Sequence, residues 1–487
     1  MFFQRFYDTQ LAQASYLIGC QRTGEGVVVD PIRDVQQYID AAAKEGLRVT
    51  HVTETHIHAD FVSGARELAA RAGAQLLLSD EGDADWKYSF AADAGARLLK
   101  DGDAFMVGNV RLDVLRTPGH TPEHLSFLVT DTPAHAGPWG ILTGDFVFVG
   151  DVGRPDLLEK AAGQAGTMKA GARSLFRSLQ GFRSLPDHLQ VWPGHGAGSA
   201  CGKALGAVPS TTVGYEKLGN WGVATTDEDE FVRMVLAGQP EPPRYFAQMK
   251  RINKEGPRVL GALPRPAHLP AAALDGVLRK GEVVVDTRPA AEFAAGHVPG
   301  TINIPLNGSF TTWAGWLLPY DRDIYLLARD EQTADEAVRD LAMIGLDHVA
   351  GIFGTDALAA WTAAGQALAT VQQRTPAEVA AMLERGDATV IDVRGQAEWE
   401  AGHLPGVPNI PVGYLAEHAG KLPSDKPVVV HCKSGARSAI AASVLQARGV
   451  TNVMNLVGGI AAWQQAGLPV TTGGAEADEE TLSAAVR

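Results

Sequence analysis

Short runs of aliphatic and β-branched residues recur along the chain, and most of them end at glycine, proline, aspartate or histidine. Runs of this length, bounded by turn residues, predict buried strands. In the first part of the chain they cover residues 26–30, 48–53, 111–117, 126–129, 140–143 and 190–193. In the second half, similar runs alternate with helical patterns such as residues 438–448, which predicts α/β domains with parallel sheets.

An internal repeat divides the second half of the chain. Residues 286–305 and residues 392–411 align without a gap and share 12 of 20 positions. Each of these segments follows a β-branched run that predicts a buried strand. Self-similarity of this kind indicates two copies of one domain, and we place the copies at residues 268–370 and 371–475.

The remaining segments differ from both copies of the repeat. Residues 1–240 have their own pattern of short strands and are predicted to form a separate domain. The proline-rich residues 241–267 are predicted to be a semi-rigid connector. The small and acidic residues 476–487 are predicted to be a flexible tail.

Composition and charge narrow the range of functions. Of the 487 residues, 45% are hydrophobic and 20% are charged, as in soluble globular proteins. The net charge of −14 argues against nucleic acids and anionic membranes as partners, because both favour basic surfaces. No apolar run is long enough to span a bilayer. The three cysteines, Cys20, Cys201 and Cys432, are too sparse for a disulfide framework, and the N-terminus has no apolar signal core. We therefore expect a cytoplasmic protein with free thiols.

Histidines and aspartates follow four of the predicted strands. Each of these motifs is flanked by glycine or proline turns, and side chains that leave strand ends in this way converge readily on one metal ion. The candidate metal-site residues are His56, His58, Asp60, His120, Asp145 and His195.

This pattern, which extends over residues 1–240, resembles the metallo-β-lactamase superfamily, and the resemblance implies an αββα sandwich. The hydrolase branch of that superfamily, which includes glyoxalase II, carries H-x-H-x-D-H and binds two metals. Here Phe61 replaces the last histidine, and a phenyl ring cannot bind a metal. What remains resembles the persulfide dioxygenase branch, whose iron ligands fall on His56, His120 and Asp145. Two histidines and a carboxylate suit Fe(II) with open coordination positions, whereas Zn²⁺ has no redox chemistry.

Other polar residues near these motifs have two interpretations each. His58, Asp60 and His195 either orient the ligands and contact the substrate, or they are remnants of a two-metal ancestor. Arg154 either holds a substrate carboxylate or the sulfite product, or it forms a surface salt bridge.

The two cysteines of the first domain also have two interpretations. Cys201 lies six residues after His195, and it is either a relay thiol whose pKa Lys203 lowers or an inert thiol. Cys20 ends an apolar, strand-like stretch, and we expect it to be buried and inert.

A strand, a tight loop and the start of a helix surround Cys432. Residues 428–438 read VVVHCKSGARS, and the loop has C-x₄-R spacing. Backbone N–H groups at such a turn form an anion cradle, and the basic side chains favour a thiolate that attacks and holds sulfane sulfur. The predicted sulfur-binding loop consists of Lys433, Ser434, Gly435, Ala436 and Arg437.

This loop, together with the repeated motif D-x-R…A-G-H-[LV]-P-G, resembles the rhodanese family. The resemblance implies two rhodanese-like α/β domains and sulfur transfer through Cys432, whereas a phosphatase of similar fold needs a longer C-x₅-R loop. The first copy departs from the family, because Ala328 aligns with Cys432 and the copy contains no cysteine. Asp330 and Glu331 would also repel an anion. The first copy is therefore predicted to carry no persulfide and to act as a spacer or a docking surface.

Along nearly its whole length, the chain resembles the persulfide dioxygenase–sulfurtransferase fusions of bacterial sulfide detoxification. The resemblance implies one Fe(II) per chain, a low-molecular-weight thiol persulfide or a protein persulfide and O₂ as substrates, and sulfite and thiosulfate as products. Superfamily relatives often form dimers or tetramers, so we expect a homo-oligomer. Sulfite made at the iron then accepts sulfane sulfur from Cys432, or the coupling runs in reverse. Two alternatives stay open: a glyoxalase II-like zinc thioester hydrolase fused to rhodanese domains, and a non-catalytic sulfur carrier or sensor.

Overall fold

A computed structural model describes residues 1–160, 166–203, 205–239 and 241–473. The predicted flexible tail, residues 476–487, lies outside this range. The chain divides into two compact units. The first unit comprises residues 1–263 together with residues 339–345, and the second comprises residues 264–338 and 346–487.

The first unit contains two six-stranded sheets. The first sheet has its strands in chain order: β1 (Phe2–Asp8), β2 (Gln13–Cys20), β3 (Glu25–Val29), β4 (Arg48–Thr53), β5 (Gln75–Ser79) and β6 (Arg97–Leu99). The second sheet has the order β12-β11-β10-β9-β8-β7: β7 (Ala104–Val107), β8 (Val110–Arg116), β9 (Leu125–Asp131), β10 (Gly140–Gly144), β11 (Gln190–Pro193) and β12 (Thr211–Thr212). Strands β3 to β6 are parallel, and β10 is parallel to β11.

Helices cover the outer faces of both sheets. They are α1 (Gln36–Lys44), α2 (Ala65–Ala72), α3 (Leu157–Lys160), α4 (Thr167–Arg183), α5 (Val213–Gly219), α6 (Trp221–Ala224), α7 (Glu228–Leu236) and α8 (Tyr245–Glu255). Inward-facing residues of both sheets form one core, which includes Tyr16, Leu77 and Phe127. Helices α4 and α7 pack on the outside of β10 and β11 in a second cluster. This arrangement confirms the predicted αββα sandwich.

Part of the predicted connector, residues 241–267, is helical. Residues 245–255 form helix α8, whose inward face buries Phe246, Met249 and Asn253. The apolar residues recur at helical spacing, and Pro243 and Pro257 flank the helix without interrupting it. The proline content alone suggested a linker, but the hydrophobic spacing decided the local structure.

The second unit contains two four-stranded sheets whose strands all pair in parallel. The first copy has the strand order β14-β13-β15-β16. Its elements are α9 (Leu274–Arg279), β13 (Val283–Asp286), α10 (Ala290–Ala295), β14 (Ile302–Asn303), α11 (Phe310–Leu317), β15 (Ile324–Leu327), α12 (Glu331–Met343), β16 (Val349–Phe353) and α13 (Asp356–Ala363).

The second copy has the strand order β17-β20-β19-β18. Its elements are β17 (Gln372–Arg374), α14 (Pro376–Arg385), β18 (Thr389–Asp392), α15 (Gln396–Ala401), α16 (Leu415–His418), β19 (Val428–His431), α17 (Ala436–Ala447), β20 (Val453–Leu456) and α18 (Gly459–Gln465). These sheets confirm the predicted pair of α/β domains.

Helix α17, which follows the Cys432 loop, is buried on more than one side. Ile440 and Val444 share a hydrophobic cluster with Phe293 and Ile302 of the first copy. Across the same contact, the backbone N–H of Asn303 donates to Ser443 Oγ at 2.9 Å. The first copy therefore packs against helix α17, which begins directly after the cysteine loop.

Within the described ranges, none of the helices combines the length and the apolar character that a bilayer span requires.

Candidate metal centre and cysteine loop

Three of the candidate ligands leave the ends of strands β4, β8 and β10. His56 follows β4, His120 follows β8, and Asp145 follows β10 directly. One ligand atom of each residue lies within 4.8 Å of the other two, and all three side chains are buried. Neither carboxylate oxygen of Asp145 has a hydrogen-bond partner among the described residues. A buried carboxylate in this state is costly unless it faces a cation, so the donor set fits a metal ion.

A chain of hydrogen bonds determines which ring nitrogen of His56 is available to a metal ion. The Thr55 hydroxyl donates to Asp30 Oδ2 at 2.9 Å, so its oxygen is left to accept a hydrogen bond. His56 Nδ1 lies 2.9 Å from that oxygen and is therefore the protonated nitrogen. Its Nε2 keeps a free lone pair, which is the form a metal ligand needs.

His120 and His195 are oriented by the same principle. His120 Nδ1 lies 3.1 Å from the Arg154 carbonyl oxygen, and His195 Nδ1 lies 2.9 Å from the Ala12 carbonyl oxygen. A carbonyl oxygen only accepts, so both Nδ1 atoms carry the proton and both Nε2 atoms face Asp145. Burial lowers the pKa values of His56 and His120, which keeps these imidazoles in the neutral, metal-binding form.

His58 faces a different partner. Its Nε2 lies 3.1 Å from Asp30 Oδ1, and its ring lies 4.5 Å from the ring of Phe61, which is fully buried. Burial lowers the pKa of His58, but the Asp30 carboxylate outweighs this effect, and the pKa is raised to about 9. With its Nε2 engaged by Asp30, His58 leaves its buried Nδ1 without a hydrogen-bond partner among the described residues.

Asp30 is a site residue that the sequence interpretation missed. It is buried directly after β3 and has a left-handed backbone with a φ of 53°. Its carboxylate accepts hydrogen bonds from the Thr55 N–H and from the Thr55 hydroxyl, and it contacts His58. The available signal was its position: an aspartate at the end of a predicted strand, close to where the other candidate residues stand.

A second group lies beside the first and consists of Asp60, His195 and Cys201. Their ligand atoms are also within 4.8 Å of one another, and all three residues are buried. His195 Nε2 lies 3.3 Å from Asp60 Oδ2 and 3.4 Å from Asp145 Oδ1, so it connects the two groups. Burial, with the Asp60 and Asp145 carboxylates, raises the pKa of Cys201 well above its usual range.

Of the two interpretations of Cys201, the one in which Lys203 lowers its pKa does not fit these surroundings. The Lys203 ammonium donates to the Met234 carbonyl oxygen instead. The structure places Cys201 next to the metal-site residues, and its role as a relay thiol stays a prediction.

Arg154 is fully buried and is not part of a surface salt bridge. Its guanidinium forms two hydrogen bonds with the Asp156 carboxylate, at 2.9 and 2.8 Å, and a third with the Ala200 carbonyl oxygen at 3.0 Å. Its own carbonyl oxygen is the one that orients His120. Arg154 thereby joins the backbone near Cys201 to a candidate ligand, and its contact with substrate stays a prediction.

In the second unit, Cys432 follows strand β19 and is 1% exposed. The backbone N–H of Gly435 donates to its Sγ at 3.1 Å, and the Ser438 hydroxyl lies 3.5 Å from the same atom. Gly435 has a φ of 98°, a conformation that favours glycine and that turns the loop around the sulfur. At Gly459, an added Cβ would lie 2.2 Å from the Cys432 carbonyl oxygen, so the start of helix α18 also packs closely on this turn.

The basic residues of the loop do not contact the sulfur directly. Lys433 is exposed, and Arg437 forms two hydrogen bonds with Glu398, at 2.5 and 2.8 Å. Glu398 and Ser438 were missed at the sequence level. The repeat offered a signal for Glu398, because Glu292 occupies the same position in the first copy and pairs with Arg329.

The first copy has a shorter loop at the equivalent position. Two residues, 329 and 330, separate Ala328 from helix α12, whereas three residues, 433–435, separate Cys432 from α17. The Asp330 carboxylate accepts the backbone N–H of Thr333 at 2.8 Å. The turn that directs an N–H at the Cys432 sulfur has no counterpart here.

Ala328→Cys is therefore expected not to create a second sulfurtransferase site. A thiol there would face a loop that lacks the glycine turn and carries a carboxylate. The measurement is the mass of the tryptic peptide containing residue 328, after persulfide treatment of the Ala328→Cys/Cys432→Ser protein, with wild-type Cys432 as the positive control. A stable persulfide on the introduced thiol of this double variant would show that loop geometry does not limit the first copy.

Comparisons with known proteins agree with this fold. The profile of the Metallo-beta-lactamase superfamily matches residues 8–195, and the profile of the Rhodanese-like domain matches residues 270–354 and 375–466. A solved metallo-beta-lactamase from Staphylococcus aureus subsp. aureus COL is 44% identical. It covers 72% of this chain and 99% of its own length, with a TM-score of 0.68.

Two curated relatives of the first unit differ in their names. A hydroxyacylglutathione hydrolase of Rhodospirillum rubrum is 30% identical over 37% of this chain and 60% of its own length. A mitochondrial persulfide dioxygenase of Bos taurus is 26% identical over 39% of this chain and 67% of its own length. The chain spans about three fifths of the length of several curated relatives it matches.

Proposed function

This chain belongs to the metallo-β-lactamase superfamily and carries two rhodanese-like domains, and from that premise we propose that its first unit is an iron-dependent persulfide dioxygenase coupled to a sulfurtransferase at Cys432. The observation that supports the first activity is the group of His56, His120 and Asp145, whose ligand atoms all lie within 4.8 Å of one another. Two imidazoles and one carboxylate suit Fe(II) with open coordination positions.

The proposed reaction converts R-S-SH, O₂ and water into R-SH and sulfite. Iron(II), when bound, supplies the redox chemistry that this oxidation needs. Asp30, through Thr55, holds the His56 ring in one tautomer, and the Arg154 carbonyl oxygen does the same for His120. The side chains of Phe61 and Phe148 are buried near His58 and His195, so the site is lined on these sides by groups that exclude water.

The proposed second step takes place at Cys432. The Cys432 thiolate attacks the outer sulfur of a persulfide, the S–S bond breaks, and the thiol R-SH leaves with one proton. Sulfite then attacks the Cys432 persulfide, which releases thiosulfate and restores the thiolate. The Gly435 N–H and the Ser438 hydroxyl are placed to stabilise negative charge on the sulfur in both steps.

The relative named as a hydroxyacylglutathione hydrolase supports a second candidate, a zinc-dependent thioester hydrolase. Phe61 argues against it, because this residue stands where that branch has a histidine ligand. A non-catalytic sulfur carrier or sensor is the third candidate.

One experiment separates the three. Iron-loaded and zinc-loaded full-length protein are each given a panel of thiol persulfides and thioesters, and oxygen uptake, sulfite, thiosulfate and free thiol are measured. We expect oxygen uptake and sulfite with the iron form alone. Thioester hydrolysis by the zinc form without oxygen uptake by the iron form would establish the hydrolase. If neither activity were observed, the sulfur carrier or sensor would be the remaining candidate.

A further inference from the structure

The loop of residues 58–63, which carries Asp60 and Phe61, is held from outside by one side chain. Asn253 of helix α8 donates from Nδ2 to the His58 carbonyl oxygen at 2.8 Å and to the Phe61 carbonyl oxygen at 2.7 Å. Its Oδ1 accepts the backbone N–H of Ser63 at 2.9 Å. The side-chain amide thus uses both of its N–H donors and its oxygen in hydrogen bonds to a single short loop.

Helix α8, which carries Asn253, is anchored by buried side chains and by hydrogen bonds just beyond its end. Phe246 and Met249 are fully buried on the same face, and Asn253 is 1% exposed. Just beyond the helix, the Arg66 guanidinium donates to the carbonyl oxygens of Gly256 and Pro257. Within the loop, the N–H of Val62 donates to the Met343 carbonyl oxygen of the same unit at 2.7 Å.

The position of this loop decides where the Asp60 carboxylate lies. Asn253 binds the backbone on both sides of Asp60, whose Oδ2 lies 3.3 Å from His195 Nε2. His195 in turn lies 3.4 Å from Asp145, a candidate ligand. A shift of the loop would therefore reach the metal site through Asp60 and His195, without any direct contact between Asn253 and a ligand.

We propose that Asn253 is a positioning residue of the metal site, which holds Asp60 and Phe61 in place through the backbone of the loop. It lies outside residues 8–195, the segment that the superfamily profile matches. The inference concerns the site on which the proposed function rests, but it holds for any divalent metal bound there. Outer residues that orient a metal site usually contribute about 10- to 100-fold to activity.

The test uses the full-length protein loaded with cobalt(II), whose visible spectrum reports the geometry of the site whichever reaction it catalyses. Asn253→Ala should retain about one cobalt per chain, because His56, His120 and Asp145 are left in place. Its visible spectrum should differ from that of the wild type. Asn253→Ser restores one hydrogen-bond donor, so its visible spectrum should lie between that of Asn253→Ala and that of the wild type. Arg251→Ala, an exposed change on the same helix, is the matched control and should leave the spectrum unchanged.

Kinetics of the iron form supply the second measurement. Asn253→Ala should lower kcat/KM about tenfold in the wild-type background and less than about twofold in an Asp60→Asn background, since coupled residues are not additive. Equal losses in both backgrounds, with an unchanged cobalt spectrum in Asn253→Ala and Asn253→Ser, would overturn the proposal and reduce Asn253 to a contributor to folding stability. If the wild type oxidised no persulfide, the proposed function would fail, while the cobalt spectra would still decide the role of Asn253.

Discussion

His120→Ala is expected to remove nearly all iron from the first unit and nearly all oxygen uptake with persulfides. The change deletes one of the two imidazoles in the proposed ligand set. Only His56 and Asp145 remain as ligands of that set. A site with two ligands holds Fe(II) far more weakly than one with three, so we expect metal content to fall by more than about tenfold. Iron per chain is measured by elemental analysis after dialysis, together with oxygen uptake.

Two control variants make this result specific. His135→Ala removes an exposed histidine from the same unit and should keep full iron content and oxygen uptake. His58→Ala should also keep its iron, because His58 is not in the group of ligand atoms that His56, His120 and Asp145 form. Loss of metal in His58→Ala as well as in His120→Ala, with two zinc ions per wild-type chain, would contradict the iron assignment and favour the hydrolase.

Cys432→Ser is expected to change the products and not the oxygen uptake. Cys432 lies in the second unit, whose core is separate from the metal-site loops, so iron content should stay near one per chain. Serine is protonated at neutral pH and does not hold sulfane sulfur, whereas the thiolate does. Sulfite should therefore accumulate at the expense of thiosulfate.

The decisive measurement is the ratio of sulfite to thiosulfate at matched oxygen consumption. Sulfite reacts with free persulfides in solution, so the rate without enzyme is subtracted. Cys20→Ser removes a different buried thiol and should leave the ratio unchanged. An unchanged corrected ratio in Cys432→Ser would show that the two sites do not act in sequence.

Arg437→Ala should shift the ratio in the same direction but less completely. The nucleophile remains, and the arginine is bonded to Glu398 and does not contact the sulfur. A stronger effect than that of Cys432→Ser would mean that Arg437 acts on more than this one site.

Local patterns along the chain determined much of the fold and the residue types of the site. Periods of two and of 3.6 in the apolar residues separate strands from helices, because they record which face of each element is buried. The gapless repeat determined two copies of one α/β domain, and the strand-end motifs at His56, His120 and Asp145 predicted a metal site where the carboxyl ends of strands meet. The absence of a cysteine in the first copy likewise followed from the sequence.

Only the tertiary structure decided which atoms these residues present to one another. That His58 turns to Asp30, that Arg154 donates to the Ala200 carbonyl oxygen, and that Asn253 holds a loop 190 residues earlier depend on contacts between segments that are distant in sequence. Periodicity reports whether a side chain is buried but not which partner it meets, because the partner is set by how whole sheets and helices pack. The same holds for the pKa of Cys201: a lysine lies two residues later in the sequence, but burial and two carboxylates that are close in space raise this pKa.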